Sequence, residues 1–228
     1  MKTINKNVLI IAPHGDDEIL GCGGTINKYV DNGYKVYVAI MTNANLGNPK
    51  KYNIKFLNNI RKEAQNAHKY LGIYETFFYD FPATQINLTP INEIIDAIHN
   101  LIVKIKPVSL YIPHGGDIHM DHKIINHCSL VASRPIGKLN IVNIYEYETL
   151  SETEWSENYN FIPNYFNVLS NSNINKKIGA MKLYKSQNKS NPHPRSLNSI
   201  KNLSILRGSS ISQKYAESFI LKRYINNE

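Results

Sequence analysis

The sequence is poor in cysteine, in acidic residues relative to basic ones, and in long apolar runs, and each shortage excludes a class of protein. Two cysteines in 228 residues, Cys22 and Cys128, are too few for a disulfide framework, and their spacing fits no cysteine-based zinc site. Both are expected to be reduced and buried. The apolar run nearest the N-terminus, "NVLIIA" at 7–12, meets charge too soon to be a signal-peptide core or a membrane span. Stable membrane insertion is therefore not expected, and the cytoplasm is the expected location. Internal repeats and low-complexity tracts are also missing. Eighteen acidic residues against 26 Lys and Arg leave a formal charge of +8, which favours anionic ligands. The lysines are scattered, however, and the densest group, 176–189, is broken by apolar residues at helical spacing. It reads as a solvated helix face, so no nucleic-acid partner is expected.

What is present is an ordinary globular composition, 42% hydrophobic, with length for one domain. "NVLIIA" reads as a strand buried on both faces. A charged turn follows, then a helical pattern at 18–33 that stops at Gly33. Strands are predicted at 34–42, 75–80, 108–113 and 141–148, and helices at 56–72, 89–107 and 121–133. The third of these helical patterns, 89–107, carries a Thr cap with Pro in the first turn. Five alternations of strand and helix indicate a doubly wound α/β sheet. Beyond 150 the pattern loosens into an irregular aromatic connection at 152–166, a helix at 173–187, a loop at 188–195, and a last helix with a short strand within 196–221.

Ligands of such sheets bind beyond the carboxyl ends of the strands, near the reversal of strand order. The turns after the first and fourth strands belong there and carry His14, Asp16, Asp17, His114, Asp117, His119, Asp121 and His122. That density of imidazole and carboxylate suits a divalent metal of the zinc type. His14 with Asp17, and His119 with His122, are each three apart, so each pair can converge on one point. Two ligands from one turn and one from the other leave an open position, the catalytic pattern. Asp16 and Asp17 are adjacent and their side chains diverge, so one can hold a metal while the other acts as a general base.

The stretches "PHGDDEILGCGGTI" and "HMDH", in that order after the first and fourth strands, resemble the signatures of the LmbE-like or PIG-L family of zinc-dependent de-N-acetylases. The resemblance extends to "RKEAQNAHKYLG", Asp80, "YKSQ" at 184–187, and "RG" followed by "YAESF". It implies one zinc per chain on His14, Asp17 and His122, and Asp16 as the base acting on water. It also implies His119 as the imidazole that steadies the oxyanion or protonates the leaving amine, with Arg61 and Asp80 contacting sugar hydroxyls. The implied reaction is removal of acetyl from an amino sugar or its conjugate, a nucleotide sugar or surface-glycan precursor among them, with a small-molecule substrate and homo-oligomerisation left open. Gly15 stands where the family usually has Pro.

The expected architecture is a Rossmann-like, doubly wound, mostly parallel sheet of core order 3-2-1-4-5. Residues 1–228 are read as a single domain, with 1–150 as the core and 151–228 as a helical and strand extension covering the site. Simpler roles compete for individual residues. Glu18 suits the helix N-terminus, but capping needs one carboxylate and leaves the second histidine-rich turn unexplained. His114 and Asp117 read as shaping their loop, His68, His99 and His127 as surface or boundary residues, and Cys22 as a packed small residue. Selectivity is expected from the aromatic connection at 155–166 and the loop at 188–195. The alternative function is a nucleotide-binding α/β module without hydrolase activity, in which "GCGG" cradles phosphate. The glycines lie inside the helical stretch, behind acids that repel phosphate.

Overall fold

The computed structural model describes residues 6–136, 141–156 and 160–226. Its central strand, β1 (Asn7–Ala12), is apolar at nearly every position and is buried on both faces. Val8, Ile10 and Ala12 enter one hydrophobic cluster while Leu9 and Ile11 enter the other, because successive side chains alternate across a strand. Next come α1 (Asp17–Asp31), β2 (Lys35–Asn43), the short α2 (Ala44–Gly47), α3 (Ile54–Leu71), β3 (Glu75–Pro82), α4 (Ile91–Ile105), β4 (Ser109–Pro113), α5 (Met120–Ala132) and β5 (Asn143–Tyr147). The five strands pair in parallel in the expected order 3-2-1-4-5. Helices α1 and α3 cover the Val8 and Ile10 face, and α4 and α5 cover the other. Since β1 pairs with both β2 and β4, strand order reverses there and the turns leaving β1 and β4 are side by side.

The C-terminal part lengthens the sheet as well as flanking it. It contains β6 (Tyr165–Val168), α6 (Asn171–Leu183), α7 (Leu197–Ser209) and β7 (Ala216–Tyr224). Strand β7 pairs antiparallel with β5, and β6 antiparallel with β7, giving seven strands. Here the structure departs from the sequence reading. Strand β6 begins in the last two residues of the connection expected to be irregular; of that connection, residues 157–159 fall outside the described residues. Strand β7 runs for nine residues rather than a short stretch. Helix α4 starts after Pro90, which occupies the cap position at φ −53°, ψ 122° without a side-chain cap, while Thr89 closes the preceding turn. Helix α6 stops at Leu183 because Tyr184 turns its ring into the core, where it is fully buried.

The glycines of α1 permit close packing on two sides. A Cβ at Gly21 would run into the Tyr147 ring of β5, one at Gly23 into the Lys177 stem, and one at Gly24 into Leu169. No space remains there for a phosphate. Lys177, read as part of a solvated face, is 2% exposed. Its Nζ donates to Glu217 Oε1 at 2.6 Å and to the Leu20 carbonyl at 2.7 Å, and the Glu217 carboxylate accepts the Gly24 and Thr25 N–H groups at 2.9 and 2.7 Å. This buried ion pair ties α6 and β7 to the middle of α1. Among the described residues no helix is long and apolar enough to cross a membrane.

Removing one partner of a buried pair strands the other charge. Lys177→Met is expected to lower stability by about 3–5 kcal/mol, and Lys177→Met combined with Glu217→Gln to recover part of that loss. Denaturant unfolding of both variants checks it.

Candidate metal centre

The turn from β1 into α1 is built around unusual backbone. Asp16 lies at φ 121°, ψ −26°, a region that L-residues with side chains adopt only when their surroundings enforce it, at a cost of about 1–3 kcal/mol. Those surroundings centre on Glu18. Its Oε2 accepts the Asp16 N–H at 3.1 Å, and its Oε1 accepts the Tyr184 hydroxyl at 2.5 Å and faces His68 Nε2 at 2.9 Å. His68 Nδ1 in turn meets the Thr76 hydroxyl at 2.7 Å. Glu18 therefore does more than satisfy a helix terminus, and His68, read as a surface or boundary residue, is 2% exposed within this network. Gly15 needs no glycine-specific conformation, and a Cβ there would meet Ile40, Tyr184 and Ile60 at ordinary distances of 3.6–3.7 Å.

The turn from β4 into α5 carries the second set. Its first histidine, His114, points away into the interior, where Nδ1 meets Glu146 Oε2 at 2.9 Å. His119 caps α5, its Nδ1 accepting the Asp121 N–H at 3.1 Å. Asp121 Oδ2 accepts the Thr84 N–H at 2.8 Å and His14 Nε2 at 3.0 Å. Asp117 Oδ2 accepts His122 Nδ1 at 2.7 Å, and its Oδ1 accepts the Thr153 hydroxyl at 2.6 Å. Each of the two imidazoles, His14 and His122, is thus held by a carboxylate at one nitrogen and offers the other, the arrangement that orients histidine ligands of metals.

The offered atoms converge. Asp17 Oδ2 lies 3.2 Å from His14 Nδ1 and 3.2 Å from His122 Nε2, and ligand atoms of these three residues lie within 4.8 Å of one another. His122 Nε2 is buried without a hydrogen-bond partner, a costly state for a polar atom unless something binds it. Two imidazoles and one carboxylate suit zinc, so the residues present fit such an ion. A second group, His14, His119 and Asp121, also comes together, but His119 Nδ1 and Asp121 Oδ2 are already engaged in hydrogen bonds.

Electrostatics agree with a site built for a cation. Desolvation would lower the His14 pKa, but its hydrogen bonds to Asp121 and Asp17 overcome this and raise it to about 9. Desolvation likewise opposes a proton on His122, yet the Asp17 charge and the Asp117 hydrogen bond push its pKa well up. Asp17, despite desolvation, is held well below the usual carboxylate range by His122 and His14. Protons on the two imidazoles stand in for a cation. Asp16 is raised to about 8 by burial and then by the Asp17 charge, against the pull of Arg195. His119 is lowered to about 4 by desolvation and by the His14 charge, so it is neutral near pH 7.

A cavity of about 300 Å³ opens over this cluster, lined in part by His14, Asp16, Asp17, His119, Ser186, Gln187 and Arg195. Arg195 is a residue of this lining that the sequence reading did not single out. From the 188–195 loop its Nη1 reaches Asp16 Oδ2 at 3.3 Å and its Nη2 reaches Glu152 Oε1 at 3.4 Å, while Nε donates to Ser151 Oγ at 2.8 Å. The only available signal was its place in a loop expected to confer selectivity. Asp117, read as shaping its loop, and Asp121, named only as part of the histidine-rich turn, are the carboxylates that hold His122 and His14. Arg61 and Asp80 are brought to one another, Nη2 to Oδ1 at 2.5 Å, with Asn43 also donating to Asp80 at 2.7 Å. Arg61 lines a smaller recess beside His14 rather than the carboxylate–imidazole cluster.

With this geometry in place, the class follows from comparison. The chain belongs to the PIG-L family, whose model, described as GlcNAc-PI de-N-acetylase, matches residues 9–133. Among its relatives, the uncharacterized deacetylase YaiS of Escherichia coli K12 is 30% identical over 79% of this chain and 91% of its own. The diacetylchitobiose deacetylase of Thermococcus kodakarensis is 26% identical over 80% of this chain and 70% of its own. The fold is that of the conserved protein TT1542 from Thermus thermophilus, with a TM-score of 0.77 at 22% identity over 97% of this chain and 96% of that one. The family and the two relatives of assigned class are deacetylases, a class of hydrolase.

Because a cation must displace protons that the carboxylates hold on the imidazoles, zinc affinity is expected to rise with pH through neutrality. The rise is up to about tenfold per pH unit for each proton displaced. Calorimetry in buffers of different protonation enthalpy reads the number released, expected to be one or two. Asp117→Asn, which leaves the ligands in place but weakens the hold on His122, is expected to reduce zinc affinity about 10–100-fold, measured by competition with a chromogenic chelator.

Proposed function

We propose that this chain is a zinc-dependent hydrolase that removes the acetyl group from the nitrogen of an amino sugar or amino-sugar conjugate, releasing acetate and a free amine. One observation carries the reading: two turns far apart in sequence bring His14, Asp17 and His122 to one point, where the buried His122 Nε2 makes no hydrogen bond and faces Asp17 Oδ2 at 3.2 Å. The description of the family and the diacetylchitobiose deacetylase among the relatives support the substrate class. Bound by His14, Asp17 and His122, zinc would supply Lewis acidity for the attack of water on the amide carbonyl.

The chain's own residues divide the remaining work. Asp16, fixed by its strained backbone and by Arg195, takes the proton from the attacking water and returns it to the leaving nitrogen. His119 has Nδ1 committed as an acceptor, so the neutral ring carries its proton on Nε2 and donates a hydrogen bond to the developing oxyanion. The sugar lies in the larger cavity, whose walls combine polar Ser186 and Gln187 with Tyr52 and Phe56. The Arg61–Asp80 pair, with Arg61 on the wall of the smaller recess beside His14, offers hydrogen bonds to sugar hydroxyls.

The test is amine release from a panel of N-acetylhexosamines and their conjugates by zinc-loaded protein. Asp16→Asn is expected to retain zinc and lose about 10²–10⁴-fold in kcat. No amine from any substrate, or a fully active Asp16→Asn enzyme, would overturn the reading or the role of Asp16 respectively.

A further inference from the structure

We propose that the carboxyl edge of the sheet, where the larger cavity opens, docks on the surface of a bilayer carrying anionic lipid, with Leu46, Ile54 and Trp155 entering the interface and Lys50, Lys51 and Lys55 meeting lipid phosphates. The proposal goes beyond the hydrolase reading and stands on charge and exposure alone.

The charge of the chain is divided unevenly. Residues 32–62 and 158–216 contain no Asp or Glu but hold 15 of the 26 Lys and Arg, while the rest of the chain has all 18 acidic residues and the other 11 basic ones. The two acid-free stretches meet in the fold. Helices α3 and α6 lie side by side, so that a Cβ at Gly179 would strike the Tyr70 ring, and Tyr52 and Phe56 share the cavity wall with Ser186, Gln187 and Lys189. Glu63, the one acid of α3, is buried and accepts the Ser186 hydroxyl at 2.6 Å. Lys50, Lys51, Lys55 and Lys189 are exposed. Among the described residues the lysines paired with carboxylates are Lys104, Lys177 and Lys222 instead. Acid at this edge is sparse and engaged: Asp80 pairs with Arg61, and Glu154 Oε1 accepts the Ser151 N–H at 2.7 Å. The edge is therefore complementary to a negatively charged surface.

Charge alone suits any polyanion, and the apolar side chains beside it narrow the partner. Leu46, Ile54, Ile118, Met120 and Trp155 are 47–65% exposed. Each lies within three residues of one that lines the cavity, namely Ala44, Phe56, His119 or Glu152. Large apolar side chains gathered around one opening mark a contact surface. A soluble polyanion would meet the lysines and leave the aliphatic side chains in water. A bilayer satisfies both, taking apolar tips into its headgroup region while the lysines reach the phosphates. Tryptophan favours that same depth. This is adsorption rather than insertion, since no helix among the described residues is long and apolar enough to cross a membrane.

Trp155 is the only tryptophan of the chain, so its emission reports docking on the unmodified protein. On vesicles of phosphatidylcholine with about one-third phosphatidylserine, the emission is expected to shift to the blue and to be quenched by lipids brominated on their acyl chains. Vesicles of phosphatidylcholine alone should produce neither change. Co-sedimentation with the mixed vesicles then measures affinity. Replacing the three lysines together (Lys50→Gln, Lys51→Gln and Lys55→Gln) is expected to weaken binding on the order of 100-fold, and Leu46→Ser with Ile54→Ser on the order of tenfold. Raising salt to about 0.5 M should weaken the wild type and affect the lysine variant little. No binding to the mixed vesicles, equal binding to both compositions, or a blue shift without quenching by brominated lipid would overturn the proposal. Full retention of binding in the Leu46 and Ile54 variant, with polyuridylic acid bound by the wild type as tightly as vesicles are, would reassign the face to soluble polyanions. A dimer in vesicle-free sedimentation that the Leu46 and Ile54 substitutions disperse would reassign it to a second copy of the chain, and either result would overturn membrane docking.

Discussion

Like charge in a nearly dry corner is the constraint to which the rest of the site answers. Asp16, Asp17, Glu18, Asp117, Asp121 and Glu152 are all buried at the carboxyl edge of the sheet. Ionised carboxylates so close together repel strongly where water cannot screen them, unless each acquires a proton, a donor or a cation. Each has one or more here. Asp121 and Asp117 take an imidazole and one further donor apiece, Glu18 takes a tyrosine, a histidine and a backbone N–H, and Arg195 lies between Asp16 and Glu152. Asp17 has the two imidazoles alone on its Oδ2 beyond the His14 N–H. Between Asp17, His14 and His122, protons on the two imidazoles therefore hold the place of a cation.

The fold creates that crowding through strand order. Parallel strands send all their carboxyl ends to one edge, and the reversal at β1 splays the helices apart there, leaving a crevice. Two turns that would be separate features in the sequence become opposite walls. The C-terminal part supplies one wall of the crevice and is tied back to α1 by the buried Lys177–Glu217 pair and by Tyr184 on Glu18. That tie explains why a helix on the far side of the first turn bears on the chemistry. Tyr184 holds Glu18, Glu18 holds the Asp16 backbone, and Asp16 stands beside the cluster of His14, Asp17 and His122.

The legible part of this architecture is the part governed by short-range pattern. Apolar runs and helical spacing located the five core strands and their helices, and spacings of three within two turns located His14, Asp17, His119 and His122. Three kinds of feature escaped. Strand β6 is four residues long, and although its Tyr, Phe and Val suit a strand, so short a run does not stand out at the end of an aromatic connection. Lys177 follows the composition of a solvated helix, and only its partner Glu217, 40 residues on, makes burial tolerable. Arg195 and Asp16 are 179 residues apart, and His68 and Glu18 are 50 apart. No local periodicity encodes a contact at such a distance. The pattern finds residues that a turn brings together and misses those that the tertiary fold delivers.

The delivered residues also differ from the local ones in what they can regulate. His14, Asp17 and His122 sit at the ends of core elements, where packing on both sheet faces fixes the backbone. Arg195 arrives on a loop, and part of the electrostatic state of Asp16 depends on it. Burial and the Asp17 charge push the Asp16 proton affinity up, while Arg195 pulls it down. If the loop opens, the carboxyl gains water and loses its guanidinium, two changes with opposite effects on its pKa. Loops have the low local stability that makes such opening accessible, whereas core strand ends do not. The arrangement thus separates two demands on the same corner. The geometry of His14, Asp17 and His122 rests on the sheet, and the Asp16 carboxyl meets, through Arg195, the loop that also walls the larger cavity.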